Sequence, residues 1–205
     1  MTNAFTRPVP LESALLTIDV QEDFAGQIPG TWECVPAMRR VVDAYRQHGL
    51  PIVHVVRLYL LDGSNADLCR REVRGVVTPG SDGAELVGKL KPDGSVGLNA
   101  GALLNGELQE LRKNEWAMYK PRWDAFHGTP LEEHLRKRGV TTVSVVGCNF
   151  PNCPRATIFG ASMRDFRINI FVDAISGVYD KGLEELGNIG VAMMRSEECM
   201  DWLGR

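Results

Sequence analysis

The stretch TTVSVVGCNFPNCPRATIFGASMRDFRINIFV (141–172) decides the fold class of this chain. Residues 141–146 form an apolar, β-branched run, which is typical of a strand covered on both faces. Residues 153–165 follow with a helical pattern, and residues 168–172 return to an apolar run. A strand, a helix and a strand joined by short connections predict two parallel strands linked by a right-handed crossover.

The same alternation extends from this stretch toward both ends of the chain. Its apolar runs require a sheet whose two faces are both covered by helices. We therefore predict an α/β fold of three layers, with a mainly parallel sheet of about six strands, in a single domain over residues 1–205. The further candidate strands are residues 14–19, 51–56 and 115–118, and the further candidate helices are residues 35–48, 130–139, a segment beginning near 181, and 196–203.

Residues 60–99 interrupt the alternation with many glycines and two Pro-Gly or Pro-Asp-Gly turns. Connections of this length without regular structure are uncommon and are often functional. This excursion is a candidate lid or a candidate contact between subunits, and a surface elaboration is the alternative. One short helix is expected near residues 83–90.

Composition excludes several classes of protein. The 205 residues are 44% hydrophobic and carry 23 basic against 26 acidic side chains, for a net charge of −3. A globular domain fits this balance, whereas a dedicated nucleic-acid binder would carry a basic excess. No apolar run reaches the ~18 residues of a membrane span, and the opening has no signal-peptide pattern. We expect a cytoplasmic protein with a small-molecule partner, and we expect its five cysteines to be free thiols.

Neither a cofactor nor a metal is expected. The four histidines lack the spacing of a zinc site, and no C-x-x-C pair accompanies them. His54, inside an apolar strand, is expected to be a core residue. Residues 83–90 resemble a phosphate-binding loop, but Leu90 stands where that loop needs Ser or Thr.

Three chemically capable residues follow candidate strands: Asp19, Lys120 and Cys153. The carboxyl ends of parallel strands meet at one edge of the sheet, which is where ligands bind in such folds. A thiol nucleophile needs a partner that removes its proton. Pro154 is expected as the first helical residue with Cys153 as N-cap, a position that lowers a thiol pKa and offers N–H groups to an oxyanion. Cys148 is expected to be a packed residue.

These motifs together resemble the isochorismatase-like cysteine hydrolases, which include nicotinamidases, N-carbamoylsarcosine amidase and ureidoacrylate amidohydrolase. The resemblance covers most of the chain. Its carriers are DVQEDF (19–24), Lys120 with AF (125–126) and TPL (129–131), GCNFPNCPRAT (147–157) and DA (173–174). The metal site of nicotinamidases, an Asp-x-His followed by a second His, has no counterpart in RLYLLD (57–62).

The resemblance implies hydrolysis of a C–N bond in a small amide through a thioester on the enzyme. In it Cys153 is the nucleophile, Asp19 the general base, and Lys120 the cation that orients Asp19. It also implies a cis peptide before Asn149, with the N–H groups of Asn149 and Cys153 forming an oxyanion hole. Phe24 and Trp123 would form walls of the pocket, and the chain would be a homo-oligomer.

Three arginines lie near these motifs: Arg57, Arg122 and Arg155. A guanidinium can hold a substrate carboxylate through two hydrogen bonds, so the substrate is expected to be anionic if one of them faces the pocket. Pairing with nearby acids is the alternative for each.

Two other functions stay open: cleavage of a vinyl ether by Asp19 without the thiol, and binding without catalysis on the same fold.

Overall fold

A computed structural model describes residues 3–204, so the first two residues and the last residue of the expected domain lie outside the described part. The strands are β1 (Ser13–Ile18), β2 (Ile52–Val56), β3 (Gln109–Arg112), β4 (Glu115–Tyr119), β5 (Thr142–Gly147), β6 (Arg167–Ile175) and β7 (Ala192–Met194). The α-helices are α1 (Glu22–Gln27), α2 (Thr31–Gln47), α3 (Ala100–Leu104), α4 (Leu131–Arg136), α5 (Cys153–Ser162), α6 (Asp180–Asn188) and α7 (Cys199–Leu203).

The strands form one sheet in the order β3-β4-β2-β1-β5-β6-β7. Every neighbouring pair is parallel except β3 and β4, which are antiparallel. In the centre, Leu15 of β1 pairs with Ile52 on one side and Ser144 on the other. The predicted α/β class with a mainly parallel sheet is confirmed.

Helices cover both faces of the sheet, and alternate side chains of β1 serve the two faces. Leu16 and Ile18 belong to the apolar cluster formed with α4, α5 and α6. Leu15 points to the other face, where its cluster includes side chains of α2 and α7. This division follows from the two-residue repeat of a strand. The helices cover the faces of the sheet and leave its carboxyl edge open between the two helical layers.

The structure has seven strands among the described residues, where the sequence predicts about six. Five of the seven were located individually in the sequence, and the two that were not, β3 and β7, lie at the sheet edges. Strand β3 has the sequence QELR with alternate residues exposed, and β7 is three residues long. Neither forms the apolar run that marks a strand covered on both faces.

Two local expectations are corrected. Helix α5 begins at Cys153, where the helical pattern of residues 153–165 begins, but its N-cap is Asn152 rather than Cys153. No α-helix lies at residues 83–90; a short 3-10 helix at Asp82–Ala84 is followed by a bridge between Gln21 and Leu86. Residues 60–99 nevertheless pack closely, because Val77 and Leu86 belong to a third buried cluster.

No helix within residues 3–204 has both the length and the apolar character needed to cross a membrane.

Candidate active site

Three elements bring Asp19, Lys120 and Cys153 to the carboxyl edge of the sheet. Asp19 follows β1 directly, Lys120 follows β4, and Cys153 is the first residue of α5, which comes after β5. All three side chains are buried. The sequence placed them on this edge from strand order alone, and the fold brings them together there.

Asp19 and Lys120 form a buried ion pair. The Lys120 Nζ donates to Asp19 Oδ2 over 3.0 Å and to the carbonyl oxygen of Arg122 over 3.3 Å. Asp19 Oδ1 is buried and has no hydrogen-bond partner within residues 3–204. Asp19 also adopts a left-handed backbone conformation with φ 56°, which is uncommon outside glycine. The carboxylate is thus held by one oxygen while the other stays free to accept a proton.

The environment of the Cys153 thiol favours its neutral form. Burial and the negative charge of Asp19 raise its pKa to about 12, and the opposing effect of Lys120 is smaller. The sequence predicts a lowered pKa for this thiol, because the helix start and Lys120 can be recognised in the sequence and burial cannot. A thiol in this state needs a base before it can attack, and Asp19 Oδ1 is a buried carboxylate oxygen without a hydrogen-bond partner within residues 3–204.

The turn between β5 and α5 depends on Gly147. This residue has φ 130°, and a Cβ there would lie 2.2 Å from the carbonyl oxygen of Ile18. The peptide bond between Cys148 and Asn149 is cis, as the family resemblance implies. Within residues 3–204, the backbone N–H groups of Asn149 and Cys153 donate no hydrogen bond. Both groups are therefore available to an acceptor in the cavity.

A small cavity of about 20 Å³, partly open to solvent, lies over these residues. Its lining includes six of the residues singled out from the sequence, namely Asp19, Phe24, Arg57, Trp123, Asn149 and Cys153. It also includes Ile28, Tyr59, Arg70, Cys148 and Asn152.

The other two candidate arginines do not line the cavity. Arg122 donates to the carbonyl oxygens of Asn65 and Pro121. Arg155 pairs with Glu185 and also donates to the Tyr179 hydroxyl. Arg155 thus pairs with an acid, which is the alternative that the sequence left open, whereas Arg122 is held by backbone carbonyl oxygens.

Arg57 lines the cavity with its charge already compensated. It is 1% exposed, forms an ion pair with Asp67 and donates to the carbonyl oxygen of Lys120 over 3.2 Å. Its Nε is buried and has no partner in the described part of the chain. Burial alone would lower the pKa of Arg57, but Tyr59, Asp19 and Asp67 outweigh it and raise the pKa.

Arg70 and Tyr59 are lining residues that the sequence did not reveal. Both lie at or near the excursion of residues 60–99, and their approach to the cavity depends on how that segment folds. No periodicity or motif marks either residue. The NFPN turn before Cys153 also contributes to the lining, through Asn149 and Asn152.

The histidines take no part in this site. The Nδ1 of His54 lies 2.8 Å from Thr17 Oγ1, and its Nε2 lies 2.8 Å from Glu115 Oε1, so it is a satisfied core residue. Within residues 3–204, no group of three or more His, Cys, Asp or Glu side chains is arranged to hold a metal ion.

Comparison with known proteins assigns a family to this fold and site. The fold is that of solved structures of isochorismatase-like proteins. An Isochorismatase domain model matches residues 13–198, so the chain belongs to the isochorismatase family, as its motifs predict.

Individual relatives agree with this assignment. A protein of Arabidopsis thaliana described as a probable inactive nicotinamidase is 32% identical over 87% of this chain and 90% of its own length. The isochorismatase family protein of Desulfovibrio vulgaris superimposes with a TM-score of 0.78 at 29% identity, over 95% of this chain and 99% of that one. N-carbamoylsarcosine amidase from Thermoplasma acidophilum gives 0.72 at 25% identity, over 91% and 97%.

Proposed function

We propose that this protein is a cysteine-dependent hydrolase that cleaves the C–N bond of a small amide or carbamoyl compound. The observation that carries the proposal is the buried ion pair of Asp19 and Lys120, 3.0 Å apart, whose charges both act on the thiol of Cys153, a residue that lines a small cavity. N-carbamoylsarcosine amidase is named among similar structures, which supports the choice of an amidase.

The first half of the reaction forms a thioester. Asp19 takes the thiol proton as the Cys153 sulfur attacks the carbonyl carbon, so no free thiolate has to accumulate. The negative charge that develops on the carbonyl oxygen is stabilised by the backbone N–H groups of Asn149 and Cys153. The C–N bond then breaks, the leaving nitrogen receives the proton from Asp19, and the acyl group remains on the sulfur.

The second half releases the acid. Asp19, again a carboxylate, removes a proton from a water molecule, which attacks the thioester carbonyl. The C–S bond breaks and the sulfur regains its proton from Asp19. Lys120 keeps Asp19 oriented throughout and compensates its charge between proton transfers.

Substitution of single cysteines tests this proposal against a panel of small amides and N-carbamoyl compounds, with release of ammonia or amine as the readout. Cys153→Ala should reduce kcat/KM by more than about 10³-fold, because the nucleophile is lost. Cys199→Ala is the matched control, since Cys199 is a buried thiol in α7 outside the cavity. Cys148→Ala shows whether turnover requires the other thiol of the cavity.

Two results would overturn the proposal. Wild-type rates in Cys153→Ala would favour a reaction carried by Asp19 without the thiol, such as vinyl ether cleavage. Absence of hydrolysis by the wild-type protein across the whole panel would favour a binding role.

A further inference from the structure

Arg70 is the cation of the cavity that has no acidic partner. The Lys120 charge is compensated by Asp19, and the Arg57 charge is compensated by Asp67. The Arg70 guanidinium forms no ion pair and no hydrogen bond within residues 3–204, although Arg70 is only partly exposed and lines the cavity. The site therefore holds one positive charge in excess, in the cavity that Cys153 also lines.

Aromatic contacts fix where this charge lies. The Arg70 guanidinium carbon is 5.6 Å from the centre of the Trp123 ring, and that of Arg57 is 5.7 Å from the same ring. Stacking of a guanidinium on an aromatic face leaves its N–H edge free for a planar anion. The buried Nε of Arg57, which has no partner among the described residues, is a second unused donor in this part of the cavity.

We propose that Arg70 binds a carboxylate of the substrate, so that the substrate class is a small amide or carbamoyl compound bearing one carboxylate. The inference rests on the proposed function for the amide end of that substrate. Its carboxylate end is held against Trp123 while the carbonyl lies over Cys153. Arg70 belongs to the excursion of residues 60–99, so that segment determines specificity.

Equilibrium binding without turnover tests the inference. Cys153→Ala serves as the background, and titration calorimetry compares malonamate, succinamate and glutaramate with their neutral diamides. Each pair differs only in whether one end is a carboxylate or a carboxamide. Arg70→Gln, Arg70→Lys and the neighbouring Arg71→Gln are made in the same background. Arg71 is exposed and does not line the cavity, so it is the control for an equal change of charge.

At least one carboxylate should bind about tenfold or more tightly than its diamide, and added salt should reduce that preference. Arg70→Gln should abolish it, Arg70→Lys should restore part of it, and Arg71→Gln should retain it. Equal binding of every pair, or a preference that survives Arg70→Gln, would overturn the inference. Both results are measured by binding alone and do not depend on hydrolysis. Failure of the carboxylate site can therefore be told apart from failure of the proposed hydrolysis, which is tested by turnover.

Discussion

The Cys153 thiol is acted on by two opposite charges, and their removal should shift its pKa in opposite directions. Burial and Asp19 raise this pKa while Lys120 lowers it. Asp19→Asn should therefore lower the thiol pKa, although it removes the proposed base. Lys120→Gln should raise it. Alkylation by iodoacetamide across a pH series, followed by peptide mass spectrometry, measures both shifts.

The exposed thiol of Cys69 is an internal reference in that experiment. In the wild-type protein, Cys153 should react more slowly than Cys69 near neutral pH, because burial and Asp19 raise its pKa and burial limits access of the reagent. An Asp19→Asn protein in which Cys153 reacts no faster than in the wild type would contradict this account. Melting temperatures of both variants show whether the unpaired buried charge has disturbed the fold, which is the known cost of breaking such a pair.

The individual site residues differ in how far sequence could reveal them. Asp19, Lys120 and Cys153 each follow a strand that is recognisable by itself, so their common edge follows from parallel topology. The direction of the Cys153 pKa could not be predicted, because it depends on burial. Arg70 left no signal, since it reaches the cavity through the folding of an irregular segment.

At the scale of elements, the turn from β5 into α5 requires glycine at position 147. Gly147→Ala should destabilise the protein by more than about 2 kcal/mol, since the new Cβ would clash with the backbone of β1 at an unfavourable φ. Urea unfolding measures the effect. Gly26→Ala in α1 is the control, because nothing lies within 4 Å of its Cβ and alanine favours a helix. Equal stability of the two variants would contradict this role for Gly147.

A buried network joins α2 to the sheet through Glu115. Arg46 donates to both carboxylate oxygens over 2.6 and 3.0 Å, and His54 lies 2.8 Å from Oε1. Burial raises the pKa of Glu115, but the hydrogen bonds from His54 and Arg46 outweigh it and lower the pKa from 4.5 to about 2. The charged carboxylate therefore stabilises the folded state.

This contribution should disappear in acid. It is fully present above pH 4.5 and is lost as the pH falls through about 2, with a total on the order of 3 kcal/mol. Glu115→Gln should reduce the loss of unfolding free energy over that range. Glu133→Gln, which removes an exposed acid paired with Lys137, should leave the acid profile nearly unchanged. Identical pH profiles for Glu115→Gln and the wild type would contradict the assignment.

The elements that sequence predicts best are those that are buried on both faces. β1, β2 and β5 are continuous apolar runs, and each was found within one or two residues of its observed bounds. β3 and β7 could not be found, because an edge strand needs neither length nor a continuous apolar run. Their pairing is determined by the neighbouring strand rather than by their own sequence.

For the molecule as a whole, the two helical layers leave one edge of the sheet open, and residues 60–99 cover part of it. The excursion contributes buried side chains to the third cluster and Arg70 to the cavity. It is therefore better described as part of the site than as a surface elaboration. It also exposes three large apolar side chains, Leu61, Leu68 and Val96. The homo-oligomer that the family resemblance implies stays a prediction.

Detection of the covalent intermediate tests the central claim most directly. The wild-type protein is mixed with a hydrolysed amide, quenched in acid within the first turnovers and digested for mass spectrometry. The account predicts a mass increase equal to the acyl group on the peptide that contains Cys153, and no such increase in Cys153→Ala. Steady turnover of that amide by Cys153→Ala at the wild-type rate, with no acylated peptide in either protein, would contradict it.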